Sequence, residues 1–236
     1  MQTNKQTIDQ VALTDERIIQ PVSRRKFLGY VGATSALLAT AASCKKDENP
    51  PIDNGVDLGS GDVGILNFAY ALEQLEAAFY TQVLTQRYSG MTPAETEFLT
   101  DIRDHEIAHR EFFKAAITAA PATPIPGLEV DFSSINFNSR DSVLGTARTF
   151  EDLGVSAYDG AGFLIKNPLY LLLAGKIVSV EARHAALIRE LLAANSFLGD
   201  QVDANSVNIS RTPAQVLALA GPFIKTKING SNLPTG

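Results

Sequence analysis

The 236-residue chain carries 20 Lys and Arg against 26 Asp and Glu, a formal charge of −6, and 45% of its residues are apolar with no Trp. Its one cysteine, Cys44, excludes an intramolecular disulfide, a rubredoxin-type centre and any iron–sulfur site. No basic stripe points to nucleic acid; the first 43 residues hold 5 of the 20 basic and 3 of the 26 acidic residues, which leaves the rest at −8.

In chain order, residues 1–43 predict an export signal. Ser23-Arg24-Arg25-Lys26-Phe27-Leu28 resembles a twin-arginine signal. The weakly apolar run from Phe27 to Ala42 is too short, and too rich in Gly, Ser and Thr, to span a bilayer comfortably. It ends at Ala41-Ala42-Ser43-Cys44, small residues before a lone cysteine that resemble a lipobox. The expectation is that Arg24 and Arg25 engage the twin-arginine export machinery. Lipidated Cys44 then holds a periplasmic or cell-surface lipoprotein to the membrane. The competing reading is an ordinary cleavage site with an incidental cysteine. Residues 44–60, charged and proline-broken at Lys45-Lys46-Asp47-Glu48-Asn49-Pro50-Pro51, predict a flexible tether.

Residues 61–225 predict one all-α domain, with a tail over 226–236. A first helix is predicted over Asp62–Arg87, where Ile65, Leu66, Phe68, Ala69, Leu72, Leu75, Ala78, Phe79 and Val83 recur at spacings of three and four. Thr92-Pro93-Ala94-Glu95 is a capping box with proline at the first helical position; it opens a second helix that runs to Ala120 and stops at Pro121. Residues 121–140 hold three prolines and predict a connection without helix. A third helix is predicted from Asp141 or Ser142 to Lys166, and Asn167-Pro168 opens a fourth that reaches Asn195. Thr212-Pro213-Ala214-Gln215, another capping box, starts a short fifth helix over Thr212–Ala220 that frays at Gly221-Pro222. The middle connection, at about 3.3 Å per residue, can cross a bundle about 40 Å long. Short, long, short connections give a four-helix bundle with one long crossover.

Two of the three histidines lie three residues after a glutamate: Glu106-x-x-His109 in the second helix and Glu181-x-x-His184, 75 residues later, in the fourth. With few glutamates in the chain, two such coincidences are not expected by chance. Residues three apart on a helix share a face, so each pair presents one carboxylate and one imidazole to the same side. A dinuclear site needs one more glutamate from each of the other two helices. The first helix offers Glu73 and Glu76, the third Glu151. Leu72-Glu73-Gln74-Leu75 with Tyr80 and Phe150-Glu151-Asp152-Leu153 with Tyr158 share the pattern apolar-Glu-x-Leu-x4-Tyr at an offset of 78, so the two helix pairs read as divergent copies. Glu76 falls opposite Gly154 in that alignment and is the weaker candidate. The candidate ligands are therefore Glu73, Glu106, His109, Glu151, Glu181 and His184. Tyr80 and Tyr158, two turns along, lean back toward Glu73 and Glu151 and are expected to support them; the alternative is a core tyrosine with a local hydroxyl partner. Four facing carboxylates repel or take up protons, whereas two divalent cations balance them with both imidazoles neutral.

His105-Glu106-Ile107-Ala108-His109 also matches the helical zinc-peptidase motif, with Glu106 as general base; it needs a third ligand, and since the repeat already accounts for His184, that ligand would have to be a glutamate. In the bundle, His105 lies about 100° round the helix from Glu106, either beside the ligands or at the surface.

From about Asp62 to Ile224 the chain resembles the ferritin-like superfamily. Ile65-Leu66-Asn67-Phe68-Ala69, Leu75-Glu76-Ala77-Ala78-Phe79-Tyr80, Glu181-Ala182-Arg183-His184-Ala185-Ala186 and Pro213-Ala214-Gln215-Val216-Leu217-Ala218-Leu219 resemble its exported, desiccation-related branch. The resemblance implies two iron or manganese ions, bridged by Glu106 and Glu181, with Glu73 and His109 on one and Glu151 and His184 on the other. It implies reaction with oxygen or peroxide in stress protection, and leaves room for a homodimer. Haem is disfavoured, because Met91 lies in a loop, and a storage cage fits poorly with a lipid anchor. The competing function is a non-catalytic, stress- or desiccation-related structural bundle that does not use metal.

Overall fold

The computed structural model describes residues 55–235. Five α-helices follow one another: α1 (Gly61–Thr85), α2 (Pro93–Ala119), α3 (Arg140–Gly162), α4 (Pro168–Leu192) and the short α5 (Pro213–Ala220). α1 packs on α2, α3 packs on α4, α1 meets α3, and α5 covers α3. This is the four-helix bundle with one long crossover and a short fifth helix that the sequence predicts. No helix among the described residues is long and apolar enough to cross a membrane.

α1 is the centre of the molecule. Every residue from Gly64 to Ala77 is buried, polar ones included, as expected of a helix apolar on nearly all sides. Two of its buried amides hold the crossover: Asn67 Oδ1 accepts from Ile125 N at 3.0 Å and Gln74 Oε1 from Leu128 N at 2.9 Å. The crossover then drops Phe132, Ile135 and Phe137 into the core. Phe79 meets Phe132, Phe137 and Phe150 with ring centroids 5.8, 6.1 and 5.1 Å apart. Each such ring contributes about 1.5–3 kcal/mol by burial.

The capping residues set the helix starts. Thr92 Oγ1 accepts from Glu95 N at 3.1 Å while Glu95 Oε2 accepts from Thr92 N at 2.9 Å. Thr212 and Gln215 repeat the arrangement at α5, and Asn167 Oδ1 accepts from Leu169 N at 2.9 Å to open α4. α3 starts slightly earlier than predicted, capped by Ser139, and stops at Gly162 rather than Lys166. The reason for the early stop is Asp62: its carboxylate accepts from Lys166 N and Asn167 N at 2.8 Å each, holding residues 163–167 as a turn. α1 and α4 are also shorter at their C-terminal ends than predicted.

The ends of the domain depart from expectation as well. Val56–Asp57 (β1) pairs in parallel with Ile228–Asn229 (β2), so the last residues of the expected tether meet the expected tail. Leu58 and Leu233 are buried. Past α5 the chain does not fray; a 3₁₀ turn, Gly221–Phe223, leads into residues that clamp the crossover, with Asp131 N donating to Phe223 O and Lys225 N to Glu129 O at 2.8 Å each. These contacts bury apolar side chains that a local reading of a polar, glycine-containing segment does not weight.

Candidate metal centre

Glu73 on α1, Glu106 and His109 on α2, Glu151 on α3, and Glu181 and His184 on α4 converge at the middle of the bundle. The four glutamates are at most 1% exposed. They fall into two groups able to hold a metal ion: Glu73, Glu106, His109 and Glu181, and Glu106, Glu151, Glu181 and His184. Glu106 and Glu181 belong to both.

The distances repeat across the two groups. His109 Nδ1 lies 2.7 Å from Glu181 Oε1 and 3.5 Å from both Glu106 Oε2 and Glu73 Oε2. His184 Nδ1 lies 2.8 Å from Glu106 Oε1, 3.5 Å from Glu151 Oε2 and 3.7 Å from Glu181 Oε2. None of these approaches is aligned as a hydrogen bond. Glu73 Oε2, both oxygens of Glu106 and of Glu181, Glu151 Oε2 and both Nδ1 atoms are buried without a hydrogen-bond partner; they are eight of the eleven such atoms among the described residues. Buried polar atoms are ordinarily paired. Donors about 2.1 Å from a shared cation sit roughly 3–3.5 Å from one another; three of the six separations, all 3.5 Å, match that spacing, while two are shorter, at 2.7 and 2.8 Å, and one is longer, at 3.7 Å.

The electrostatics show what the cluster does without a cation. Burial raises Glu73 well above the usual carboxylate range, helped by the charge of Glu181. Burial likewise raises Glu151, to about 8, against the opposing pull of His184. Burial also acts on Glu106, but contacts with His109 and His184 override it and hold this carboxyl at about 2. The imidazoles move the other way. Burial alone lowers His109, yet its glutamate neighbours push it up to about 12, and His184 rises for the same reason. Protons thus sit where positive charge is wanted.

The tyrosines support the glutamates, but crosswise. Tyr80 donates to Glu151 Oε1 at 2.5 Å, and Tyr158 donates to Glu73 Oε1. The expectation that each tyrosine reaches back along its own helix is corrected. Seven residues rise about 10.5 Å along a helix, beyond a tyrosine's reach. As the partner's number on α1 rises, that on α3 falls, so α1 and α3 run antiparallel and set position 80 opposite 151 and 158 opposite 73. Each hydroxyl occupies the carboxylate oxygen that does not face the cluster.

His105 takes a place beside the cluster. Its Nδ1 lies 2.9 Å from Nε2 of His184, the ring nitrogen facing away from the glutamates, and the two rings stack at 10°. Nδ1 of His184 facing the cluster as a lone-pair donor requires a proton on Nε2, which His105 then accepts. No metal-capable group among the described residues includes both His105 and His109, so the peptidase arrangement is not formed.

Glu76, set aside by the repeat argument, is only 3% exposed. Burial raises its pKa well above the usual range, with the charges of Glu106, Glu151, Glu181 and Glu73 adding to the shift. Its room comes from Gly154: a Cβ there would meet Glu76 Oε1 at 3.2 Å. The signal was available, since Glu76 lies three residues from Glu73 on the same face. Cys44, Arg24 and Arg25 lie outside the described residues.

No curated protein matches the chain. The model of the Ferritin-like domain family matches residues 61–194. Those residues contain all four long helices and every side chain of the cluster, and the chain belongs to the Ferritin-like domain family.

Proposed function

We propose that this protein is an exported, lipid-anchored member of the family that holds two iron or manganese ions and reacts with oxygen or peroxide in stress protection. The observation that carries the reading is the convergence of eight buried, partnerless donor atoms from four helices on one point. Glu106 and Glu181 would bridge; Glu73 with His109 would hold one ion, and Glu151 with His184 the other. Both metals suit carboxylate and imidazole ligands. The ions, when bound, supply one-electron steps toward oxygen or peroxide.

The chain's own residues do the rest. Tyr80 and Tyr158 fix the outward oxygens of Glu151 and Glu73 and keep a proton beside each carboxylate. His105 holds the His184 ring in the tautomer that turns a lone pair toward the cluster. The four glutamates are at most 1% exposed, so bulk water is kept away and every charge interaction inside is strengthened. Export through Arg24 and Arg25 and attachment at Cys44 rest on the sequence pattern alone. Arg24→Lys with Arg25→Lys should block export, and Cys44→Ser should release a folded protein from the membrane fraction.

The test is metal content. Protein exported in its host, or reconstituted anaerobically with Fe(II) or Mn(II), should carry two ions per chain. A ratio near zero under both conditions would overturn the reading in favour of a structural bundle that does not use metal.

A further inference from the structure

A second cavity, separate from the glutamate cluster, lies on the outer side of α3. It is a cleft of about 300 Å³ lined by Arg148 and Asp152 of α3, Arg189 of α4, Arg211 of the connection that follows, and Leu153 and Leu219. Three of the eight arginines in residues 55–235 meet here, in a chain whose net charge is negative.

The acidic residues of the cleft do not neutralise them. Arg189 takes both: its Nε donates to Asp152 Oδ1 at 2.8 Å, and its Nη2 donates to Asp152 Oδ2 at 2.5 Å and to Asp200 Oδ1 at 2.9 Å. Gln201, also in the lining, spends its amide on Asp200 at 2.9 Å. Arg148 makes no ion pair among the described residues. Arg211 Nη1 is buried with no hydrogen-bond partner. A buried guanidinium N–H left unmade is costly.

The backbone fixes where Arg211 stands. Arg211 N donates to Ser156 O at 2.9 Å, and the approach depends on Gly160, whose Cβ would fall 1.8 Å from Arg211 O. The main chain of residue 211 is therefore held against α3, and its side chain lines the cleft. Arg148, without an ion pair, and Arg211, with its unpartnered Nη1, offer the donor type that suits the oxygens of a carboxylate or phosphate, while Leu153 and Leu219 offer an apolar wall.

We propose that this cleft is a binding site for a small organic oxyanion, with Arg148 and Arg211 on the oxygens and Leu153 and Leu219 against its apolar part. The proposal does not depend on the metal reading. Isothermal titration of the full chain with phenyl phosphate, benzoate and inorganic phosphate tests it and separates a phosphate from a carboxylate preference, with chloride as the screening control. Saturable binding of phenyl phosphate or benzoate is expected, weakened at least about tenfold in Arg148→Gln and in Arg211→Gln and unchanged in Arg87→Gln, whose arginine lies outside the cleft. Arg148 is exposed, so its substitution leaves the core untouched, and the variant's unchanged melting temperature is checked alongside binding. Absence of saturable heat with all three probes, or equal binding in the Arg148 and Arg211 variants, would overturn it.

Discussion

The two halves of the bundle agree at the cluster and disagree around it. The α1–α2 half sets His109 2.7 Å from the opposite Glu181, and the α3–α4 half sets His184 2.8 Å from the opposite Glu106. Each histidine is 3.5 Å from the lone glutamate of its own half. Away from those atoms the likeness ends. Glu76 faces Gly154, and His105 precedes Glu106 where Val180 precedes Glu181. The second half makes room at Gly160 for an incoming loop, where the repeat places Gln82 in the first half. The duplicated positions are those that direct donor atoms inward, while the neighbouring positions are free to differ. The comparison teaches that the two proposed ion positions have equivalent donors and unequal surroundings.

The largest expected effect breaks the cluster on both sides at once. Glu106→Ala and Glu181→Ala should each reduce metal from two ions toward zero, because each carboxylate serves both groups. His109→Ala and His184→Ala should each remove much of the rise in melting temperature that metal confers. Thermal unfolding with metal and with chelator checks this, and a His184→Ala variant that behaves as wild type would break the equivalence.

Next comes the glycine that only one half uses. Gly160→Ala should destabilise by about 1–3 kcal/mol or more through overpacking against Arg211. Gly145→Ala, on the same helix with nothing near its Cβ, should instead stabilise by roughly 0.5–1 kcal/mol. Urea unfolding of the two variants reads opposite signs.

The protons at the cluster give a pH dependence. Glu151 is raised from 4.5 to about 8 and His109 from 6.5 to about 12. Both folded-state values lie above the unfolded ones. The contribution of Glu151 is therefore complete below 4.5 and lost as pH rises through about 8; that of His109 is complete below 6.5 and lost as pH rises through about 12. Between pH 6.5 and 8 both slopes point the same way, so metal-free protein should lose stability as pH rises. Metal affinity should increase over the same window, with protons released on binding. Calorimetry in buffers of different ionisation enthalpy measures the release. Glu76→Gln should raise the melting temperature of the metal-free protein, since it removes a carboxyl that must take up a proton in the fold.

The smallest effect sharpens the inequality of the halves. His105→Ala should weaken metal binding at the His184 position by about tenfold and leave the His109 position unchanged. Titration of one ion at a time separates them.

The helices, the crossover and the two glutamate–histidine pairs were legible because each is written locally, and Glu73 and Glu151 because the repeat aligns them at an offset of 78. Capping boxes at Thr92 and Thr212, Asn167-Pro168, and glutamate–histidine pairs three apart all act within one helix. What was not legible depends on where chains meet. The crossed tyrosines follow from the antiparallel run of α1 and α3, and the repeat hid this by aligning each tyrosine with its own glutamate. Glu76 was discounted because Gly154 is its counterpart, yet the missing side chain at 154 is what gives Glu76 its space. The β1–β2 pair and the arginine cleft join segments more than 150 and about 60 residues apart, and no local pattern announces either.

The central claim is that two equivalent donor sets each hold one ion. The direct measurement is a crystal structure of the manganese-loaded protein with anomalous scattering recorded at the manganese edge. The account predicts two peaks, one among Glu73, Glu106, His109 and Glu181 and the other among Glu106, Glu151, Glu181 and His184. A single peak, or a peak involving His105 and His109 together, would contradict it.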